Sequence, residues 1–163
     1  MQPYRPNKRN VEIPQKKFTR LNEFLADQPT VDLNNHDLTL LERAVELAKT
    51  SDNPRFKVGS IIAERGKIIS YGVNQAKTHP FQAKWNEHSS CLHAEMAALL
   101  TAQRFSCFDP HKATVIVARI GRNKQCDCSY PCNYCWPALD FVGLRTIVCF
   151  DQYANPVKIK VKK

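Results

Sequence analysis

The order of helical and strand-like segments is the feature that most constrains the fold of this chain. Hydrophobic spacing along the sequence gives a helix, two strands, a helix, a strand, a helix and two strands. Strands separated by helices predict a mixed sheet covered by helices. Asp37 or Thr39 is expected to cap the first helix, and Gly143 to end the third. The predicted helices cover 37–51, 89–100 and 132–141, and the predicted strands cover 57–64, 67–73, 113–120, 144–150 and 157–161.

The last two predicted strands are joined by a short connection, "DQYANP". A parallel crossover needs about a dozen residues or more, so these two strands are expected to form an antiparallel hairpin. The sequence therefore predicts a three-layer α/β fold. Its five-stranded mixed sheet carries helices on both faces.

Length and charge divide the chain into an arm and a domain. With 163 residues, of which 43% are hydrophobic, one domain with a real core is expected. Residues 1–33 are polar, basic and contain four prolines, which indicates an extended N-terminal arm before a domain over 34–163. The net charge of +9 lies mostly in the two ends of the chain. Charged ends are more often simply solvated, but they can also contact a nucleic acid weakly.

The cysteines indicate a metal site. No stretch is apolar for long enough to cross a membrane, and the first residues do not have the pattern of a secretory signal, so we expect a reducing, cytoplasmic location. Four of the seven cysteines lie close together: Cys126, Cys128, Cys132 and Cys135. In a reducing compartment, clustered thiols favour metal binding over disulfides.

Two motifs supply the ligands for this metal. His93 and Glu95 stand at the front of the apolar helix "HAEMAALL", which gains nothing from either for its own packing. Cys132 and Cys135 in "PCNYC" stand three residues apart at the predicted start of another helix, where such positions share a face. A helix N-terminus also favours the thiolate form of cysteine. Two thiolates and one imidazole give zinc three protein ligands.

Three protein ligands are typical of a catalytic zinc site, in which water takes the fourth position. Zinc lowers the pKa of such a water to about 7, and Glu95 is placed to move its protons without binding the metal. The alternative is a closed structural zinc to which Cys126 or Cys128 adds a thiolate. Those two cysteines are otherwise loop thiols or part of a second zinc site.

The combination of "HAE" with "PCNYC" resembles the cytidine/deoxycytidylate deaminase superfamily, whose zinc enzymes carry H-x-E followed by P-C-x-x-C. The resemblance extends over about 38–161 and includes the hairpin "VGSII…IISYGVN". It implies a cytidine-deaminase-like fold, zinc as cofactor and Glu95 as the catalytic acid and base. It also implies that many such chains form homo-oligomers.

The same resemblance implies roles in substrate binding. Asn74, which ends the hairpin, would hydrogen-bond the sugar, and Ala94 together with the loop at Tyr130 and Pro131 would contact the base. Tyr130 stands where many members of the superfamily have an acidic residue. Further contacts, to a phosphate, are expected from the long loop before the active-site helix and from a residue before the first strand: Lys77, His79, Lys84 and Arg55.

These observations predict hydrolytic deamination of cytosine to uracil in a free nucleotide or nucleoside, with deoxycytidylate as the leading substrate. An alternative is an enzyme that edits cytosine or adenine in single-stranded DNA or RNA, held there by the basic ends of the chain. A third hypothesis is a zinc-binding module without catalytic activity. The number of protein ligands on the zinc distinguishes this module from the enzymes.

Overall fold

The computed structural model describes residues 20–77, 79–85 and 92–162. A short 3₁₀ helix, Pro110–Lys112, precedes the strand Ala113–Ile120. The other elements, in chain order, are α1 (Arg20–Ala26), β1 (Thr30–Val31), α2 (Asn35–Ala48), β2 (Lys57–Glu64), β3 (Lys67–Val73), α3 (Pro80–Ala83), α4 (Ala94–Ala102), β4 (Ala113–Ile120), β5 (Cys126–Asp127), α5 (Cys135–Val142), β6 (Thr146–Phe150) and β7 (Pro156–Lys160).

The sheet is mixed, as predicted. Strand β4 pairs antiparallel with β2 along its full length and parallel with β6 on its other side. The hairpin partner β3 lies outside β2, and β7 pairs antiparallel with β6. The antiparallel pairing predicted for the last two strands is therefore confirmed. The short connection leaves no room for a crossover.

The described residues contain seven strands rather than the expected five. The two additional strands, β1 and β5, have two residues each. Strand β1 pairs with β7, and β5 pairs with the end of β4. A two-residue strand is too short to show an alternating pattern in the sequence, so hydrophobic spacing could not reveal either of them.

Helices cover both faces of the sheet, which confirms the three-layer fold. On one face, α2 packs through Leu40, Leu41 and Ala44 against Ile61 and Ile116 of the sheet. On the other face, α4 and α5 contribute to a second buried cluster with the opposite side chains of β2, β4 and β6. None of the helices in the described part of the chain is long and apolar enough to span a membrane.

Two glycines allow these helices to approach the sheet closely. A Cβ added to Gly59 would overlap the carbonyl oxygen of Ala44 in α2. A Cβ added to Gly72 would lie 2.7 Å from the carbonyl oxygen of Ala94 and from the Cβ of Ala97, both in α4. The two helices are therefore seated on the sheet from opposite sides at positions where no larger residue fits.

The helix ends differ in part from the expectation. Helix α2 is capped by Asn34, whose side chain accepts a hydrogen bond from the backbone of Asp37 at 2.7 Å, while Asp37 accepts one from the backbone of Asn34 at 3.2 Å. The caps predicted at Asp37 and Thr39 are therefore wrong, because the helix begins two residues earlier. Gly143 ends α5 with a φ of 91°, as predicted.

Part of the predicted N-terminal arm packs on the domain. Of residues 1–33, the structure describes only those from 20 onward. Leu25 of α1 is fully buried in the core cluster that includes α4 and α5. Thr30 and Val31 pair with β7. Residues 20–33 therefore contribute to the sheet and to the core, and the basic residues of 1–19 lie outside the described residues.

Candidate active site

His93 is the residue that immediately precedes helix α4, and two contacts fix its backbone. Gln75 and Leu92 exchange backbone hydrogen bonds of 2.9 and 3.1 Å, which tie the entry to the helix to the end of the hairpin. The backbone N–H of His93 donates to the side-chain oxygen of the buried Gln82 at 3.0 Å. Gln82 was not among the residues that the sequence indicated.

The two cysteines lie at the beginning of α5, as expected, but the helix starts at Cys135 rather than at Cys132. Cys132 is in the turn before the helix, and its carbonyl oxygen accepts hydrogen bonds from the backbone of Cys135 at 3.2 Å and of Trp136 at 3.0 Å. This turn places both thiols at the N-terminal end of the helix. The two thiols face the same way, as expected from their spacing of three residues.

The structure brings His93, Cys132 and Cys135 together. The distances between the two Sγ atoms, and from each Sγ to Nδ1 of His93, are all 3.4 Å. Ligands at zinc distances of about 2.0–2.3 Å in a tetrahedral arrangement lie roughly 3.3–3.8 Å from one another. The three donor atoms therefore fit a zinc ion.

This is the one group of three or more metal-binding side chains in the part of the chain that the structure describes. Cys126 and Cys128 do not belong to it and form no second group among those residues. Neither the closed site with an added thiolate nor the second zinc site is therefore supported by the positions of these two cysteines.

The electrostatics of the group favour a negative charge on the sulfur of Cys132, whereas burial and the neighbouring Cys132 raise the pKa of Cys135. The hydrogen bond from Cys135 is the main cause that lowers the pKa of Cys132 to about 4, against the opposing effect of burial. Burial disfavours the charged form of His93, but the hydrogen bond and the negative charge of Cys132 outweigh it and raise the pKa of the imidazole. A thiolate beside an imidazole is a donor set that suits zinc.

Glu95 lies in the first turn of α4, one residue into the helix, and is only 5% exposed. Burial raises the pKa of its carboxyl group, and the negative charge of Cys132 raises it further, while His93 lowers it. Its carboxylate is not one of the three clustered donors. The structure therefore places a buried carboxyl beside the metal-binding group and outside it.

A cavity of about 140 Å³ opens beside this group. Of the residues that the sequence indicated, His93, Glu95, Cys132, Asn74, Ala94 and Tyr130 line it. Pro131 is buried but does not line the cavity. Cys128, which the sequence indicated only as a possible zinc ligand, also lines it, and the lining residues that the sequence did not indicate are Phe56, Val58, Val117, Arg119 and Ser129.

The side chain of Asn74 is already largely engaged within the protein. Its amide oxygen accepts hydrogen bonds from Oγ of Ser51 at 2.6 Å and from the backbone of Val58 at 2.8 Å. Its amide nitrogen donates to the carbonyl oxygen of Phe56 at 3.1 Å. One hydrogen of that nitrogen is left for a ligand, because an amide NH₂ group has two.

The residues predicted to contact a phosphate lie apart from the cavity. Nδ1 of His79 accepts the backbone N–H of Phe81 at 3.1 Å and so caps the short helix α3. Lys77 and Lys84 are exposed, and Nζ of Lys84 lies 6.0 Å from the centre of the Trp85 ring. Arg55 is exposed as well. None of these four side chains lines the cavity.

Comparisons with known proteins agree with this geometry. The family model described as the cytidine and deoxycytidylate deaminase zinc-binding region matches residues 34–151. Comparison with curated protein sequences finds no match.

Solved structures share the fold. The apo dCMP deaminase of the cyanophage S-TIM5 is 19% identical, with a TM-score of 0.55 over 73% of this chain and 86% of that chain. The same phage enzyme in complex with dCMP and dUMP gives 19% identity and a TM-score of 0.54 over 72% of this chain and 83% of that chain. The cytidine deaminase of Burkholderia pseudomallei is 19% identical, with a TM-score of 0.57 over 78% and 93%.

The fold, the donor set and the family model therefore define one class of protein, a zinc-dependent deaminase that acts by hydrolysis. The chain belongs to the cytidine and deoxycytidylate deaminase family.

Proposed function

We propose that this protein converts the cytosine of a free nucleotide or nucleoside to uracil, and that deoxycytidylate is its leading substrate, with dUMP as the product. One observation carries the proposal: the buried carboxyl of Glu95 lies beside three zinc donors in the wall of a cavity. A metal-binding module has no use for this carboxyl, since burial disfavours its charged form and the metal does not need it as a ligand.

His93, Cys132 and Cys135 would hold the zinc ion, which when bound makes water nucleophilic at neutral pH. Glu95 accepts a proton from the attacking water and delivers it to N3 of the cytosine ring. Attack at C4 then gives a tetrahedral carbon, and Glu95 takes the proton of the new hydroxyl group and passes it to the amino group, so that the C4=O bond forms as the C–N bond breaks and ammonia leaves. The raised pKa of the Glu95 carboxyl suits a group that must both take and return protons near neutral pH.

The resemblance to the family supports roles in holding the substrate for residues at this cavity. The remaining amide hydrogen of Asn74 donates to the sugar, and the backbone of Ala94 with the loop at Tyr130 and Pro131 contacts the base. The hydroxyl of Tyr130 is held by Gln152 at 3.1 Å, which fixes the ring at the cavity wall. The likeness to a dCMP deaminase whose structure contains dCMP and dUMP supports the choice of deoxycytidylate.

Family membership also supports a homo-oligomer, which light scattering on the purified protein would reveal. The cytoplasmic location and the weak contact of the basic ends with nucleic acid stay predictions from the sequence.

The test is a mass-spectrometric screen of the zinc-loaded protein for loss of ammonia from cytidine, deoxycytidine, CMP, dCMP and cytosine-containing oligonucleotides. We expect dCMP to turn over with the highest kcat/KM. Turnover of oligonucleotides alone would favour the polynucleotide enzyme, and turnover of none of these substrates would contradict the proposal.

A further inference from the structure

Arg119 is a cationic residue in the cavity wall that the proposed chemistry does not use. It belongs to β4, in which alternate side chains face opposite sides of the sheet. Val115 and Val117 belong to the cluster on the α4 side, while Ile116 and Ala118 belong to the cluster on the α2 side. Arg119 therefore faces the active-site side and, together with Val117, lines the cavity.

The guanidinium group of Arg119 is held against an aromatic ring. Arg119 is paired in register with Val58 of β2, and Phe56 lies two residues before Val58, on the diagonal that long side chains can reach. The guanidinium carbon lies 4.6 Å from the centre of the Phe56 ring. Asn74 holds the carbonyl group of Phe56 in turn. A guanidinium stacked on a ring keeps its N–H edge available for another partner.

The N–H edge of this guanidinium includes a buried atom that has no hydrogen-bond partner among the described residues. Nε of Arg119 is buried, and no described residue accepts a hydrogen bond from it. A buried donor without an acceptor costs free energy. An acceptor with negative charge that enters the cavity would recover this cost.

The acidic residue that is paired with Arg119 in the sheet does not supply the missing acceptor. Asp127 of β5 is paired with Arg119 across the sheet. However, Oδ1 of Asp127 accepts the backbone N–H of Cys128 at 2.8 Å. Within the described residues, Arg119 and Asp127 form no ion pair. The guanidinium is therefore left for a ligand.

We propose that Arg119, held against Phe56, is the anion-binding residue of the cavity and receives the 5′-phosphate of a nucleotide. This inference rests on the proposed function for the kind of substrate and deepens it, because it selects a nucleoside monophosphate over a nucleoside. The planar fork of arginine matches two phosphate oxygens at once. The lysines and the histidine expected to contact a phosphate lie outside the cavity lining.

The test measures binding of the reaction products, so that turnover does not interfere. The zinc-loaded protein is titrated calorimetrically with dUMP and, separately, with deoxyuridine. Three variants are compared with the unmodified protein: Arg119→Gln, Arg119→Lys and Arg122→Gln. Arg122 is exposed in the loop that follows β4, so its variant removes the same charge away from the cavity. Circular dichroism and thermal unfolding check that each variant is folded.

We expect the unmodified protein and Arg122→Gln to bind dUMP roughly ten- to a hundredfold more tightly than deoxyuridine, which is the range for one or two charge-assisted hydrogen bonds. In Arg119→Gln this preference falls to near one while the affinity for deoxyuridine is kept. Arg119→Lys, which keeps the charge and loses the fork, falls between them. If Arg119→Gln does not fold, the lysine variant alone decides.

An unmodified protein that binds both ligands equally, or Arg119 variants that keep the full preference, would overturn the inference. These outcomes are distinct from failure of the proposed function. Absence of deamination together with an Arg119-dependent preference for dUMP would contradict the catalytic proposal and leave this site in place. Deamination of deoxycytidine and dCMP at equal rates in all four proteins would support the catalytic proposal and contradict the phosphate-binding role of Arg119.

Discussion

The two faces of the sheet are built alike but bury different chemistry. On the α2 face the buried cluster is apolar, and the buried carboxylate of Asp37 in α2 is paired with Lys158 at 3.1 Å. The α4 face buries Glu95 and the metal-binding residues. The buried polar side-chain atoms that lack a hydrogen-bond partner within the described residues belong to Ser60, Gln82, Trp85 and Arg119.

All four of these residues lie on the α4 side. Ser60 neighbours Gly59, which faces α2, so strand alternation turns Ser60 to the other side. Gln82 contacts His93, Arg119 lines the cavity, and Trp85 packs against the α4 cluster. The comparison teaches that one face supplies stability with its polar groups satisfied. The other face carries polar groups at a cost to stability, which is typical of sites that bind and react.

The largest effect expected from this contrast concerns the two helices' glutamates. Glu95→Ala should lower kcat by roughly 10²–10⁴-fold, since the variant loses the group that moves both protons, while zinc content is unchanged. Its counterpart on α2 is Glu46→Ala, which removes an exposed ion pair with Lys49 and should leave kcat unchanged. Steady-state kinetics and metal analysis measure both. Near-normal turnover by the Glu95 variant would mean that another group moves the protons.

The two close-approach glycines test whether only one face controls the site. Gly59→Ala and Gly72→Ala should each lower the free energy of unfolding by about 1–3 kcal/mol, because the added methyl group has no space. Only Gly72→Ala should also weaken zinc binding and kcat, since α4 carries Glu95 and is preceded by His93. Chemical denaturation, competition with a zinc chelator and steady-state kinetics give the free energy of unfolding, the zinc affinity and kcat. Equal loss of zinc affinity in both variants would contradict the division between the faces.

A smaller effect is expected at the cap of α2. Asn34→Ala removes the side-chain acceptor for the backbone of Asp37 and should cost about 1 kcal/mol of stability. Zinc affinity and kcat/KM should stay the same, because α2 lies on the face away from the site. Asn34→Asp, which keeps the acceptor, is the control. A fall in kcat/KM at unchanged stability would show that this face contributes to catalysis.

The smallest effect is expected from the basic N-terminus. Deletion of residues 1–19, which precede α1, removes five basic residues and one acidic residue. For a mononucleotide substrate, the deletion should leave kcat/KM for dCMP nearly unchanged at any salt concentration. The proposed phosphate-binding residue, Arg119, lies in the cavity wall and not in the deleted segment. A deletion that lowers activity on oligonucleotides and flattens its dependence on salt would indicate the polynucleotide enzyme instead.

The main elements of the fold could be predicted from the sequence because their hydrophobic patterns are long. The short strands β1 and β5 and the cap at Asn34 could not, since each depends on pairing or on a helix start that tertiary contacts select. In the site, the spacing within "HAE" and "PCNYC" was enough to indicate the zinc ligands. The residues of each motif are so close in sequence that they lie within a single turn of the backbone.

Arg119 and Phe56 escaped sequence analysis for a physical reason. In the sequence, Arg119 is a polar residue near the end of a predicted buried strand, and Phe56 is the residue before another predicted strand. Their meeting depends on the register between β2 and β4, which places Val58 opposite Arg119. Alternation along β4 could have indicated that Arg119 shares a face with Val117, but not that this face carries the zinc ligands.

The most direct test of the central claim is X-ray absorption spectroscopy at the zinc edge of the metal-loaded protein. An open catalytic site held by His93, Cys132 and Cys135 predicts one zinc per chain with two sulfur ligands at about 2.3 Å and two lighter ligands at about 2.0–2.1 Å. One of the lighter ligands should have the scattering pattern of an imidazole. Three or four sulfur ligands would mean that Cys126 or Cys128 closes the site, and would contradict the account.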